Sequence, residues 1–456
     1  MNMNQTKKIF FSGIAGSGVS AIAGFMADKG NIIAGSDRAF DLDPDNPLKK
    51  VFRSKGISIV PQNGSGIDRT FDFAVFSTAV EDDKPEVIKA RELGILTKTR
   101  PEYLAEITSS FNTIAVSGTS GKSTASGLLA FLMNRLGLEP NFIGGGRVKQ
   151  FKSETHPGNS FTGKSDSLII EACESDGSIV HYRPQHTIIL NLSFDHHSID
   201  ETADMFKILA GNTQERIIIN GDDRNLDGIP GKNALTFSIY NASDYRAEHI
   251  TMHPLHSEFT VCKTRFTLSL PGEHNIYNAI SCISFLSDIG IPIIDIASVL
   301  PEFNGIDRRF DIHMNEGDSF VIDDYAHNPH KINYMMKTVH MLSNKICFIF
   351  QPHGFGPTRM MKKEYINTFV DNLRTSDHLV LLPIYYAGGT AGKDISSEDL
   401  ADEIIARGKS AEVIQDRDDI FKKINDFRSF IIFGARDETL SNVAGKLAGV
   451  LKKKKH

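Results

Sequence analysis

Short, largely apolar runs recur along the chain, and several of them stop at glycine or at an acid. Runs at 8–12, 31–34, 57–60 and 72–76 predict strands, with helical patterns near 19–29 and 83–93. A second series begins at 113–116 and continues at 167–171, 186–192 and 215–219, followed by a helix over about 275–289. A third restarts at 319–323, continues at 346–350, 378–384 and 429–433, and closes with a helix over about 439–451. Continuous apolar runs of this length fit strands buried on both faces of a parallel sheet. One stretch, Thr264–Leu270, instead alternates apolar and polar residues and predicts a mixed or antiparallel edge. The expected fold class is α/β with mainly parallel sheets, in three domains over 1–108, 109–310 and 311–456.

The richest local pattern is Ile114-Ala-Val-Ser-Gly-Thr-Ser-Gly-Lys-Ser-Thr124. An apolar strand breaks into Gly118-Thr119-Ser120-Gly121, then into Lys122, Ser123, Thr124 and a helix-forming run. Strand, glycine loop, lysine, hydroxyl and helix make a phosphate-binding loop. The glycines let backbone N–H groups approach phosphate oxygens, and the helix N-terminus adds partial positive charge. Lys122 is placed to reach the β- and γ-phosphates of ATP, and Ser123 to bind Mg²⁺. Val116 stands where the full motif has its first glycine.

A second glycine turn, Gly13-Ile14-Ala15-Gly16-Ser17-Gly18, follows the first strand, and Asp37 ends the next strand about 20 residues on, where a ribose contact is expected. Its G-x-x-G-x-G spacing argues against NAD. The bland alternative is glycine serving only close helix–strand packing.

Two further strands end in polar clusters. Ile169–Asp176 offers Glu171 and Glu174 for Mg²⁺. Ile188–His197 ends in Asp195-His196-His197, suited to a second metal or to the acceptor, or else a solvated turn. Asn275 and His274 fit an N-cap region. Arg308-Arg309 can clamp phosphate or be solvated. Asp323-Asp324-Tyr325 with His327 can grip a ribose and face a base, or form a polar turn ended by Pro329.

Composition narrows the class. At 456 residues the length suits roughly three domains. A net charge of −6 and a pI near 6.2 argue against general nucleic-acid binding. No apolar run has the length of a membrane span, and the N-terminus lacks a signal-peptide pattern, so a cytoplasmic location is expected. Four scattered cysteines without C-x-x-C read as free thiols in a reducing compartment. The Lys452–Lys455 tail reads as a solvated helix end.

Taken together, these stretches resemble the Mur ligase family, which adds amino acids to peptidoglycan precursors. The carriers are GIAGSGVSAIAG, IIAGSD, FSTAV with KPEVIKARELGI, TRPEYLAEI, EACESDGS, PGEHNIYNA, FNGIDRRF, DDYAHNP and FQPHGFGPTR, in family order over nearly the whole chain. Within the family they are most similar to the branch that joins L-alanine to UDP-N-acetylmuramate. The resemblance implies a UDP-binding Rossmann-like domain, a central ATPase domain and a C-terminal Rossmann-like domain that brings the amino acid. It implies phosphorylation of the lactyl carboxylate by ATP, then attack of the amine on the acyl phosphate.

By the same resemblance Lys122 stabilises the transferring phosphoryl group. Ser123 and Glu174 bind one Mg²⁺ and His196 a second. Asn275 and Asn278 approach adenine, Arg309 the phosphates and Asp324 the ribose. Gly16, Ser17 and Gly18 line the UDP pyrophosphate with Asp37 and Ser77 nearby, and His353 and Arg359 approach the amino acid. The partners implied are small molecules.

Five positions depart from the alanine-adding pattern: Ser120 for a His, Cys173 for an Asp, Ser193 for a Glu, and Gly354-Phe355 for Arg-Tyr. The last touches the amino-acid pocket. An alternative within the family is a recycling ligase joining UDP-N-acetylmuramate to murein tripeptide. Leu192, Phe194, Gly354 and Gly356 lean that way. A third reading, of another class, is a non-catalytic UDP-sugar- or ATP-binding regulator.

Overall fold

Strand Lys8–Ser12 lies at the centre of a five-stranded parallel sheet, between Ile32–Ser36 and Phe73–Phe76, with Ser58–Ile59 and Leu96–Thr99 outermost. Its residues Ile9, Phe10 and Phe11 are fully buried, which is why the run is continuously apolar. Chain order reverses on either side of this strand, and in open α/β sheets ligands bind beyond the strand ends at such a point. The glycine turn of residues 13–18 follows it there.

The computed structural model describes residues 5–194, 197–229, 233–317, 319–386 and 392–454. They fall into two compact units, residues 1–306 and 307–456. The first unit contains a second large sheet. Its central strand Asn112–Ser117 runs parallel to His186–Ile189 on one side and Ser167–Glu171 on the other. This is a second reversal of strand order, and the phosphate loop springs from it. Helix Lys122–Arg135 follows and buries Leu128, Leu129 and Leu132 in the core shared with helix Glu273–Asp288. The two halves of this unit are tied by Asn159, whose side-chain amide donates to Ser17 O (2.9 Å) and Ser20 Oγ (2.7 Å).

The alternating stretch near 264–270 is an antiparallel edge strand, as expected, but of a sheet of its own. Thr264–Leu268 pairs antiparallel with Ser257–Val261, which pairs with Glu248–Met252, as a separate three-stranded sheet. Its alternation reflects one buried face: Phe259, Val261, Phe266 and Leu268 pack into the core beside Ile296. The run at 186–192 is strand only to Ile189. Beyond it Leu190 donates to Ser117 O (2.9 Å), and Asn191 turns to hold the phosphate loop.

The second unit has a six-stranded sheet in the order Asp311–Glu316, Ser319–Asp324, Ser429–Phe433, Ile346–Phe350, His378–Leu381, Ala411–Val413. Only the first pair is antiparallel. Phe348, Phe350, Ile431 and Phe433 form its buried centre. All four cysteines are free. Among the described residues no helix is long and apolar enough to cross a membrane.

Candidate active site

The phosphate loop is held open by its glycines. Gly118 (φ 143°) and Gly121 (φ 85°) adopt backbone that side chains disfavour. A Cβ on Gly121 would lie 2.4 Å from Asn278 Oδ1, and one on Gly118 would lie 3.0 Å from Leu190 Cβ. Gly121 caps helix Lys122–Arg135 without any side-chain cap, as an anion-binding helix start requires.

Asn191 braces the loop from the neighbouring strand end. Its Oδ1 accepts from Ser120 N (2.9 Å), its Nδ2 donates to Ser120 O (2.9 Å), and its carbonyl accepts from Thr119 N (3.1 Å). Thr119 Oγ1 also lies 2.9 Å from Ser193 Oγ.

Lys122 is buried and folds back over the loop, donating to Gly118 O (2.6 Å) and Glu174 Oε2 (2.8 Å). Burial opposes its charge, but Cys173 and the carboxylates Glu174 and Glu171 outweigh that and hold its pKa above the ordinary lysine value. Ser123 Oγ donates to Glu171 Oε1 (2.9 Å), whose Oε2 accepts from Gly145 N (2.7 Å). The Ser123 hydroxyl and the carboxylates of Glu171 and Glu174 are hard oxygens, the donor type Mg²⁺ takes alongside phosphate oxygens. His196, the other expected metal ligand, lies outside the described residues, as does Asp195.

Asn275 and Asn278 are buried on helix Glu273–Asp288. Asn278 packs against Gly121, and Asn275 Nδ2 donates to Pro271 O (2.8 Å). The helix cap is Gly272, so neither Asn275 nor His274 is the N-cap.

At the first sheet, Gly13 (φ 76°) sits so close to Ser77 that a Cβ would come within 2.8 Å of Ser77 Cβ. Asp37 Oδ2 accepts from Ala15 N (2.8 Å) and its Oδ1 from Ala39 N (2.9 Å). Burial lifts its pKa above the ordinary aspartate value, and these two bonds only partly offset that. Gly16 caps helix Ser17–Asp28, and Gly18 lies under Arg100, whose Cδ would be 3.1 Å from an added Cβ. Arg100 pairs with Asp176. The turn, Asp37 and Ser77 therefore share one sheet edge.

In the second unit Asp324 ends strand Ser319–Asp324. Its carboxylate accepts from Phe310 N and Ala326 N, both at 2.7 Å. Arg309 stacks over the Tyr325 ring at 4.6 Å. Arg308 is buried, with Nε 3.3 Å from both oxygens of Asp323 and Nη2 donating to Gly434 O (2.6 Å). The His327 and His353 rings meet edge to face, with centroids 5.3 Å apart. Burial pushes His327 down to about 3 and His353 to about 4, so both are neutral near pH 7. Arg359 is bound to Asp394 and to Gly392 O.

Three descriptions match in order along the chain: "Mur ligase family, catalytic domain" over residues 8–112, "Mur ligase middle domain" over 116–286, and "Mur ligase, glutamate ligase domain" over 308–435. The UDP-N-acetylmuramate–L-alanine ligase of Caldicellulosiruptor saccharolyticus is 31% identical over 92% of this chain and 92% of its own. The chain belongs to the Mur ligase family.

A further relative, the UDP-N-acetylmuramate–L-alanine ligase of Clostridium novyi, is 30% identical over 95% of this chain and 96% of its own. Among solved structures, the UDP-N-acetylmuramate-alanine ligase MurC of Thermotoga maritima shares the fold with a TM-score of 0.82 at 24% identity, covering 98% of this chain and 100% of its own. A murein peptide ligase from Psychrobacter arcticus has a TM-score of 0.72 at 21% identity, covering 98% of both chains.

On this Mur ligase scaffold the expected residues fall into three groups. Lys122, Ser123 and Glu174 meet at the phosphate loop, with Asn278 against it. Gly16, Asp37 and Ser77 meet at the first sheet's edge. Arg309, Asp324 and His353 belong to the second unit. The roles of Asn191 and Arg100 are tertiary. Asn191 acts on a loop 71 residues away, and nothing local marks it. Arg100 was legible only as one letter of TRPEYLAEI.

Proposed function

We propose that this Mur ligase is an ATP-dependent, ADP-forming amide ligase. It joins an amino acid, L-alanine first among candidates, to the lactyl carboxylate of UDP-N-acetylmuramate in peptidoglycan precursor synthesis. The observation that carries this reading is Lys122, a buried lysine between Gly118 O and Glu174 at the mouth of a glycine loop. The two relatives named for that reaction, similar over more than nine-tenths of the chain, supply the substrate. The working domains are 1–108 for the UDP-sugar, 109–310 for ATP and 311–456 for the amino acid, in the cytoplasm.

A carboxylate oxygen is a poor leaving group. Transfer of the γ-phosphoryl group to it makes an acyl phosphate, which the amine attacks; the tetrahedral adduct collapses to amide and phosphate. The enzyme's work is placement and charge neutralisation. Gly118–Thr124 cradle the phosphates, and Lys122 leaves its internal partners to meet charge on the transferring group. Mg²⁺ held by Ser123 and Glu174, with His196 at a second position, would neutralise phosphate charge. Asn275, Asn278, Arg309 and Asp324 serve the nucleotide. Gly16, Ser17, Gly18, Asp37 and Ser77 serve the UDP-sugar. His353, neutral and half-buried, lines the acceptor's side with Arg359.

The test is ADP release with Mg²⁺-ATP and UDP-N-acetylmuramate across L-alanine, L-serine, glycine and L-Ala-γ-D-Glu-diaminopimelate. Turnover with one amino acid supports the proposal and names the acceptor. Turnover only with tripeptide makes the chain a recycling ligase. UDP-sugar binding without any turnover makes it a non-catalytic binder.

A further inference from the structure

The C-terminal edge of the second unit's sheet carries several arginines, and most are tied to carboxylates. Arg308 holds Asp323, Arg359 holds Asp394, and Arg417 holds Asp437. Arg309 lies on Tyr325. Arg436 differs. It follows strand Ser429–Phe433 by way of Gly434 and Ala435, and it is exposed. Among the described residues its guanidinium has no carboxylate partner; its one hydrogen bond runs from its backbone N–H to Tyr325 Oη (3.3 Å).

Its backbone is also left-handed, with φ 71°. A glycine would rest there without strain, whereas the Cβ of an arginine is crowded by left-handed backbone. The Arg436 backbone, through its bond to Tyr325, heads a short chain of contacts. Tyr325 touches the His327 ring (centroids 5.5 Å), and His327 touches His353 (5.3 Å). The charge of Arg436 is felt at His353, where it adds to the effect of burial. His353 Nδ1 is buried and has no hydrogen-bond partner. The His353 backbone is fixed beside Tyr385, with Tyr385 N donating to Pro352 O (2.8 Å) and Gly354 N to Tyr385 O (2.9 Å).

An unpaired, exposed guanidinium whose charge reaches a neutral imidazole offers a partner for the carboxylate of an α-amino acid, with the imidazole at the same sheet edge for the amine end. Arg359 is less suited, because Asp394 already neutralises its charge, and its Nη2 is taken by Asp394 and the Gly392 carbonyl.

We propose that Arg436 binds the α-carboxylate of the acceptor amino acid, while Arg359 braces the loop around Asp394. This deepens the ligase reading and rests on it for the identity of the acceptor. No step of bond-making passes through Arg436; it positions the acceptor.

The test uses the full chain as wild type, Arg436→Gly, Arg436→Lys and Arg359→Ala. Arg436→Gly suits the left-handed backbone, so loss of fold does not confuse the result. ADP release is measured with the productive amino acid and with its primary amide, which lacks the carboxylate. Arg436→Gly should raise KM for the acid by roughly 10- to 100-fold, leave kcat within about threefold, and erase the preference for acid over amide. Arg436→Lys should retain part of the preference. Arg359→Ala should raise both KM values together and keep their ratio. Retention of the preference in Arg436→Gly, or its loss in Arg359→Ala, overturns the proposal.

Thermal melts with millimolar amino acid or amide give a readout that needs no turnover. A shift given by the acid alone and lost in Arg436→Gly supports Arg436 even if the ligase reading fails. No turnover, together with no acid-specific shift, overturns both.

Discussion

The first unit contains two glycine turns of the same design, and they differ in charge. Each follows an inner strand of a wholly or mainly parallel sheet, at a reversal of strand order, and each opens a helix. In the turn of residues 13–18 no ionisable side chain belongs to the loop itself. Asp37 and Arg100 reach it from other segments. In the loop of residues 118–123 a lysine is part of the loop, and two glutamates from the adjacent strand end stand against it. Backbone geometry alone makes a cradle for an anion. Chemistry on that anion needs a cation that moves with it and acids that hold the cation meanwhile.

The largest effect should separate the two turns outright. Lys122→Ala should lower kcat by about 10³-fold or more, in line with the loss of a preorganised charge at a transferring group, and leave UDP-N-acetylmuramate binding intact by calorimetry. Loss of both would mean the turns are not independent.

Glycine substitutions sharpen the contrast. Gly121→Ala places a methyl 2.4 Å from Asn278 Oδ1 on left-handed backbone, and should cost about 1–3 kcal/mol in denaturant unfolding along with ATP affinity. Gly16→Ala meets only Gly13 O at 3.3 Å with φ −60°, so unfolding should shift by less than about 0.5 kcal/mol while UDP-sugar affinity falls.

Arg100→Ala should weaken UDP-sugar binding about three- to tenfold, reduce its salt dependence, and leave the KM for ATP unchanged. Equal changes in both would place Arg100 in service of the whole unit.

The smallest effect is one of pH. Asp37 sits above the ordinary aspartate value because it is buried. Acidification therefore protonates it sooner than an exposed aspartate, and the acceptor for Ala15 N–H weakens. UDP-sugar affinity should drop a few-fold from pH 7.5 to 5, and Asp37→Asn should flatten that profile. Lys122, held above its ordinary value, stays charged over the same range. A drop that survives in Asp37→Asn would point to another group.

The parts of the fold legible in the sequence were those that repeat a local physical rule. Runs such as Ile346–Phe350 are apolar throughout because both faces are buried, and they became strands where expected. Lys122 was legible because loop, lysine and helix are contiguous. Thr264–Leu268 showed a buried face but not its partners, because pairing with Ser257–Val261 rather than the large sheet is a tertiary choice. Ala411–Val413, an outer strand of the second unit's sheet, has no apolar run to announce it. Glu171 was read as a metal ligand, but its bond to Gly145 N, which fixes the strand end against the next loop, joins segments that no spacing rule connects.

The doubly held lysine has one more consequence. When the γ-phosphate departs on the acceptor, Gly118 O and Glu174 remain in place to take the ammonium back. The positive charge therefore need not stay with ADP or be quenched by incoming water. On the proposed reaction the loop would reset by an exchange of partners, so that emptying the nucleotide site would be driven partly from inside the protein. Weakening that return, as Glu174→Gln would, should make the spent nucleotide linger.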